Sequence, residues 1–167
     1  MVVREAGLMF RGFTLVKKSY HKTTQGKIEA DLRSSLLTAF KNFAESAFLR
    51  GSVEYFEGNK YCITFIEDNI LSSDSEEPEV LTSYAILDIE KKIDKYINKI
   101  ILPVLRNVIR EFKSRFTGKN LSEVSQFREF KNLLDEIFGS DTKTVEQKLK
   151  GIFSQKDDKD KEDEEDS

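Results

Sequence analysis

The sequence predicts an α+β domain: a five-stranded, mainly antiparallel sheet with helices on both faces, in the order β-β-α-β-β-β-α-α, followed by a disordered acidic tail. Three observations lead there. Two hairpin signals, one around Arg11-Gly12 and one around Glu57-Gly58-Asn59, lie among β-branched and aromatic residues. Between them runs a long stretch with apolar residues at three- and four-residue steps. The last third of the chain repeats that helical spacing.

Leu8 to His21 mixes β-branched and aromatic residues and reads as two strands turning near Arg11-Gly12, the second from Phe13 to His21. After the polar loop Lys22 to Lys27, a helix spans Ile28 to Leu49, with Ile28, Leu32, Leu36, Ala39, Phe43 and Ala47 on one side and Gly51 as its stop. Ser52 to Phe56 and Lys60 to Ile66 form the second hairpin. Glu67 to Glu79 is too polar and breaker-rich to be regular, and Val80 to Asp88 is the fifth strand.

The remainder reads as helix. Ile89 to Phe116 carries one apolar face at Ile93, Tyr96, Ile97 and Ile100 and a rotated one at Leu105, Val108, Ile109, Phe112 and Phe116. Pro103 sits at the change and predicts a kink or break, because proline lacks the backbone donor and clashes with the preceding turn. Asn120 with Glu123 resembles a capping arrangement for a helix ending at Gly139, striped by Leu121, Val124, Phe127, Phe130, Leu134 and Ile137. These assignments place one α+β domain at 1–139, a short amphipathic helix at 140–154 and a disordered tail at 155–167.

A chain of 167 residues, 38% hydrophobic and 34% charged, suits one ordinary soluble domain with an appendage. From Lys156 to Ser167 eight carboxylates face three lysines, so that segment carries the chain's negative balance and the rest is slightly basic. A tail of that kind has nothing apolar to bury. A near-neutral body argues against nucleic acid as a partner. The first residues lack the pattern of a signal peptide and no apolar run approaches bilayer length, so the expectation is a cytoplasmic protein with no integral membrane segment, attached to membranes only through a partner.

Catalytic chemistry finds little support. His21-Lys-Thr-Thr-Gln-Gly-Lys-Ile28 lies between a strand and a helix as a phosphate loop does, but lacks its first glycine and its magnesium-binding hydroxyl. His21 is the only histidine and Cys62 the only cysteine, leaving neither a metal cluster nor a ready nucleophile–base pair. The acidic pairs Glu67-Asp68 and Glu76-Glu77 read as solvated loop residues. No enzyme activity, cofactor or metal is expected.

The first helix is the positive signal. Placed at about 100° per residue, its apolar side chains cover about half the circumference, wider than the roughly 100° stripe one core contact needs. Leu37, Phe40 and Phe48, with Val53 and Tyr55 on the following strand, are the candidate partner-binding residues.

Taken with the hairpin Leu8 to Tyr20, the helix Ile28 to Leu49, the hairpin Val53 to Ile66, the strand Val80 to Leu87 and the later helices, this order resembles the longin domain, of the profilin-like fold, and more distantly the roadblock domain. No membrane anchor or SNARE-like heptad segment follows, which departs from longin SNAREs. The resemblance implies a non-enzymatic adaptor in vesicle trafficking or small-GTPase regulation, of the longin-like type of archaea, binding a small GTPase, a trafficking component or a second copy of itself through that helix and strand. The competing reading is a small-molecule sensor of the PAS or GAF kind, holding its ligand against Tyr61, Phe65 or Tyr84.

Overall fold

A computed structural model describes residues 3–20, 37–39, 42, 55–57 and 61–138. Its sheet is built from β1 (Val3–Phe10), β2 (Phe13–Ser19), β3 (Tyr55–Glu57), β4 (Tyr61–Ile70) and β5 (Glu79–Asp88). The strands lie in the order β2-β1-β5-β4-β3, and every pairing is antiparallel. The central strands β1 and β5 are buried on both faces almost throughout, whereas β2 shows the mixed exposure of an outer strand.

The expected five-strand sheet is corrected here. Four long strands carry the sheet, and β3 contributes only Tyr55–Glu57 at its margin, opposite Cys62 to Thr64. Three residues bonded on one side fall short of the five or six of an ordinary strand. The polar run Glu57-Gly58-Asn59-Lys60 favours a turn over further pairing. β4 also outruns its expected end: Glu67, Asp68 and Asn69 keep pairing with Thr82, Leu81 and Val80, so the loop begins only at Leu71.

The β1–β2 connection is a two-residue turn with both residues left-handed, Arg11 at φ 51° and Gly12 at φ 76°. That geometry matches the twist of a hairpin and favours glycine at one position.

After β5 the chain forms α1 (Ile93–Tyr96), a π-helical turn (Ile97–Ile101) and α2 (Leu102–Phe116). The break expected at Pro103 is resolved differently. The widened turn lies just before it, with the Leu102 N–H donating to the Ile97 carbonyl, and Pro103 falls in the first turn of α2, where a missing donor is tolerated.

The single helix expected from Asn120 to Gly139 is likewise replaced, by a turn, a 3₁₀ turn (Val124–Phe127) and α3 (Phe130–Phe138). Its first turn is diverted by one local and two tertiary hydrogen bonds. The Leu121 N–H donates to Ser72 Oγ (3.1 Å), the Ser122 N–H to Asn120 Oδ1 (3.0 Å) and Ser122 Oγ to Asp74 Oδ2 (3.1 Å).

Residues 140–167, including the expected short helix and acidic tail, lie outside the described residues, as do most of Ile28 to Leu49 and His21.

The two faces of the sheet hold two cores. Ala6, Leu8, Phe10, Leu81, Ala85 and Leu87 pack with α1, α2 and α3, where Phe112 meets Phe127 and Phe130. The opposite face gathers Met9, Phe65, Tyr84 and Ile86, against which Leu37 packs. Among the described residues no helix is long and apolar enough to cross a membrane.

Candidate functional site

Alternation along β1 puts Glu5, Gly7 and Met9 on the second face. Glu5 is almost fully buried there, accepting hydrogen bonds from Tyr84 Oη (2.7 Å) and Ser19 Oγ (2.8 Å), with Lys17 Nζ 3.9 Å away. Gly7 makes room for this arrangement: a Cβ on it would stand 3.0 Å from the Tyr84 ring. A buried carboxylate with donors and a cation meets the requirement that buried charge be bonded.

Toward β3 the same face becomes partly exposed. Leu37, Tyr61 and Ile63 are half-buried apolar residues at the edge of the Met9–Phe65–Tyr84–Ile86 cluster, and Ile63 stands opposite Phe56 of β3. Arg4 lies 6.0 Å from the Tyr61 ring and forms a two-pronged ion pair with Asp88, at 2.7 and 2.8 Å. Helical residues and the sheet margin, distant in sequence, therefore share one apolar surface.

Of the candidate binding residues, Leu37 packs, half-buried, on the Met9–Phe65–Tyr84–Ile86 cluster, and Tyr55 begins β3 opposite Thr64. Phe40, Phe48 and Val53 lie outside the described residues. The residues considered for a small-molecule site separate: Phe65 and Tyr84 are fully buried core, and only Tyr61 is partly exposed.

The opposite end of the sheet is organised by Arg11. Its Nε donates to Glu79 Oε1 (2.9 Å) and its Nη1 to Asp74 Oδ2 (2.9 Å), joining the β1–β2 turn to the loop before β5. Asp74 also accepts from Ser72 and Ser122. The guanidinium holds both carboxyl groups below their ordinary range, and they in turn raise its own pKa, Glu79 most. Asp68, expected in a loop, sits on β4 and is held below its ordinary range first by the hydrogen bond from Lys113 Nζ (2.6 Å). Glu67 accepts from Thr82 Oγ1 at 3.1 Å. Glu76 and Glu77 are exposed.

Groups with depressed folded pKa values stabilise the native state above their unfolded pKa, near 4, and that contribution fades as pH falls through their folded values. The urea midpoint should therefore hold steady near neutral pH and decline below about pH 4, with a shallower decline in Arg11→Gln. An unchanged acid limb in that variant would show that the clamp does not report on folding.

Cys62 is buried and its thiol is pushed up to about 12, first by burial and then by Glu57 and Asp94, which leaves it a poor nucleophile. No group of three metal-ligating side chains occurs among the described residues.

Glu5 and the Arg11 clamp were missed by sequence reasoning. A lone carboxylate in phase with Gly7 and Met9 was the available signal for Glu5. The partners of Arg11 lie 63 and 68 residues away, and nothing local announces them.

No family model matches the chain, and no curated protein matches it either.

Proposed function

We propose that this chain is a non-enzymatic adaptor domain of longin-like kind, binding a small GTPase or a trafficking component, or a second copy of itself, in the cytoplasm, and reaching membranes only through its partner. The observation that carries this reading is that Leu37, Tyr61 and Ile63, packed on the Met9–Phe65–Tyr84–Ile86 cluster, each stay half-buried. Apolar side chains left partly accessible at the junction of helical residues and an outer strand suit a partner that lays a helix or strand along it. The resemblance of the sequence's hairpins and helices to longin domains suggests the trafficking context.

The test is affinity capture from a lysate loaded with GDP or with a non-hydrolysable GTP analogue, followed by mass spectrometry. Recovery of a small GTPase or a trafficking protein by the wild-type chain should fall about tenfold or more with Leu37→Asp or Tyr61→Asp, as expected when a central apolar contact is lost. Circular dichroism should stay unchanged. Equal recovery by wild type and variants would reject this surface.

A further inference from the structure

The slight basic excess of the chain outside its acidic run is not evenly spread. From Lys91 to Lys119 nine lysines and arginines stand against two carboxylates, Asp94 and Glu111. On α2 they are sorted by face. Val104, Leu105, Val108, Ile109 and Phe112 are buried, while Arg106 and Arg110, one turn apart, are exposed on the outer side. Lys95 on α1 and Lys99 in the π-helical turn precede them at four- and seven-residue steps, near the same side, and are exposed too. The next cations are taken: Lys113 by Asp68 (2.6 Å) and Arg115 by Glu111 (3.8 Å). Among the described residues Lys95, Lys99, Arg106 and Arg110 pair with no carboxylate, and Arg110 donates only to the neutral Asn107 Oδ1 (2.6 Å).

An uncompensated row of cations attracts a segment of opposite charge, and this chain carries one. Glu162, Asp163, Glu164, Glu165 and Asp166 are five consecutive carboxylates. The described residues run to Phe138 on α3, and Phe130 of that helix lies 5.2 Å, edge-on, from Phe112 of α2, on the same face of the sheet. The 23 residues between Phe138 and Glu162 can extend to roughly 75 Å at about 3.3 Å each, against a length of roughly 22 Å for α2. The run therefore reaches the row without passing the sheet. A tethered segment also acts at an effective concentration of up to about millimolar, an advantage that a free anionic partner lacks.

We propose that the acidic run Glu162–Asp166 docks on the outer side of α2, against Lys99, Arg106 and Arg110, and screens this basic row from other anions. Each exposed pair contributes little by itself, so the contact opens readily and a more strongly anionic partner displaces it. The row lies on the face of the sheet opposite Leu37, Tyr61 and Ile63, so either surface can fail without the other.

The experiment attaches a nitroxide to the full chain through Ser167→Cys, Cys62 being buried, and reads amide intensities in correlation spectra with the label oxidised and then reduced. The oxidised label should weaken the amides of Lys99, Arg106 and Arg110 more than those of Thr14 and Lys17 on β2. That pattern should vanish at about 1 M salt, where screening acts within about 3 Å. It should also vanish when Glu162, Glu164 and Glu165 become Gln and Asp163 and Asp166 become Asn, and in Arg106→Glu combined with Arg110→Glu, but persist in Leu37→Asp. Even weakening over the whole chain, or the same pattern in the neutralised run, would overturn the proposal. Weakening at Arg106 in an isotope-enriched, unlabelled chain mixed with a labelled, unenriched one would assign the row to a second copy and overturn it too. So would wild-type and neutralised chains held equally, through Arg106 and Arg110, by vesicles of anionic phospholipid or by duplex DNA, since the row would then be open.

Discussion

Replacing Phe112 by alanine should lower the unfolding free energy by about 3–5 kcal/mol, the usual range for removing a buried aromatic ring. Phe112 is fully buried on α2, and its ring lies 4.7 Å from Phe116, 5.1 Å from Phe127 and 5.2 Å, edge-on, from Phe130. These rings join α2 to the 3₁₀ turn and α3, so the vacated space opens where three helical segments meet. Neighbouring rings packed against one another collapse into such a gap only partly, which puts the cost at the upper end of its range. For a domain with total stability of about 5–15 kcal/mol this is a large fraction. Urea denaturation should show the loss, and amide exchange in Phe130–Phe138 should quicken more than in β1. Phe112→Leu, which keeps more of the volume, should cost less than alanine. A loss below about 1 kcal/mol for alanine would mean that the aromatic cluster does not hold the helices to the sheet.

The second large effect concerns Gly7. A Cβ at this position would lie 2.6 Å from the Val16 carbonyl oxygen, 3.0 Å from Lys17 Cβ and 3.0 Å from Tyr84 Cε1. The closest of these atoms belongs to the backbone of β2, which cannot retreat without disturbing the pairing of Gly7 with Lys17. Gly7→Ala should therefore cost about 1–3 kcal/mol as overpacking. Movement of Tyr84 would also weaken its hydrogen bond to Glu5, leaving a buried carboxylate short of a donor. Gly12 offers a contrast in mechanism. Nothing lies within 4 Å of its added Cβ, but its φ of 76° penalises alanine through backbone strain alone. Gly7→Ala should change the Tyr84 and Ser19 resonances, whereas Gly12→Ala should leave them in place. An alanine at Gly7 that costs nothing would show that the two strands give way freely.

Both predictions turn on contacts between residues far apart in the chain, and that is where reading the sequence reached its limit. Strand and helix types were legible because they depend on near neighbours. Arg11-Gly12 announces a tight hairpin through its left-handed turn, and Leu105, Val108, Ile109 and Phe112 mark one side of a helix by spacing alone. Element limits were legible only where a local signal set them. β4 continues through the polar residues Glu67, Asp68 and Asn69 because β5 offers bonding partners and Lys113 takes the Asp68 carboxylate. The helix expected from Asn120 starts late because Ser72 and Asp74 hold Leu121 and Ser122.

The candidate surfaces divide in the same way. Leu37 stood out in sequence as surplus apolar surface on a helix, but its packing on the Met9–Phe65–Tyr84–Ile86 cluster required the sheet. The exposure of Phe13, Val80 and Val124 drew no attention in sequence, since single apolar residues in strands and helices ordinarily face a core.

By itself, then, the sequence determined the kind of most of the described elements, because periodicity and turn stereochemistry act within a few residues. Tertiary structure alone decided that β1 and β5 lie at the centre, that Glu5 is buried beneath Tyr84, and that Arg11 binds the distant carboxylates of Asp74 and Glu79. Those outcomes depend on which strand pairs with which, and backbone hydrogen bonding, the same for nearly every residue, leaves that choice to packing across the whole fold.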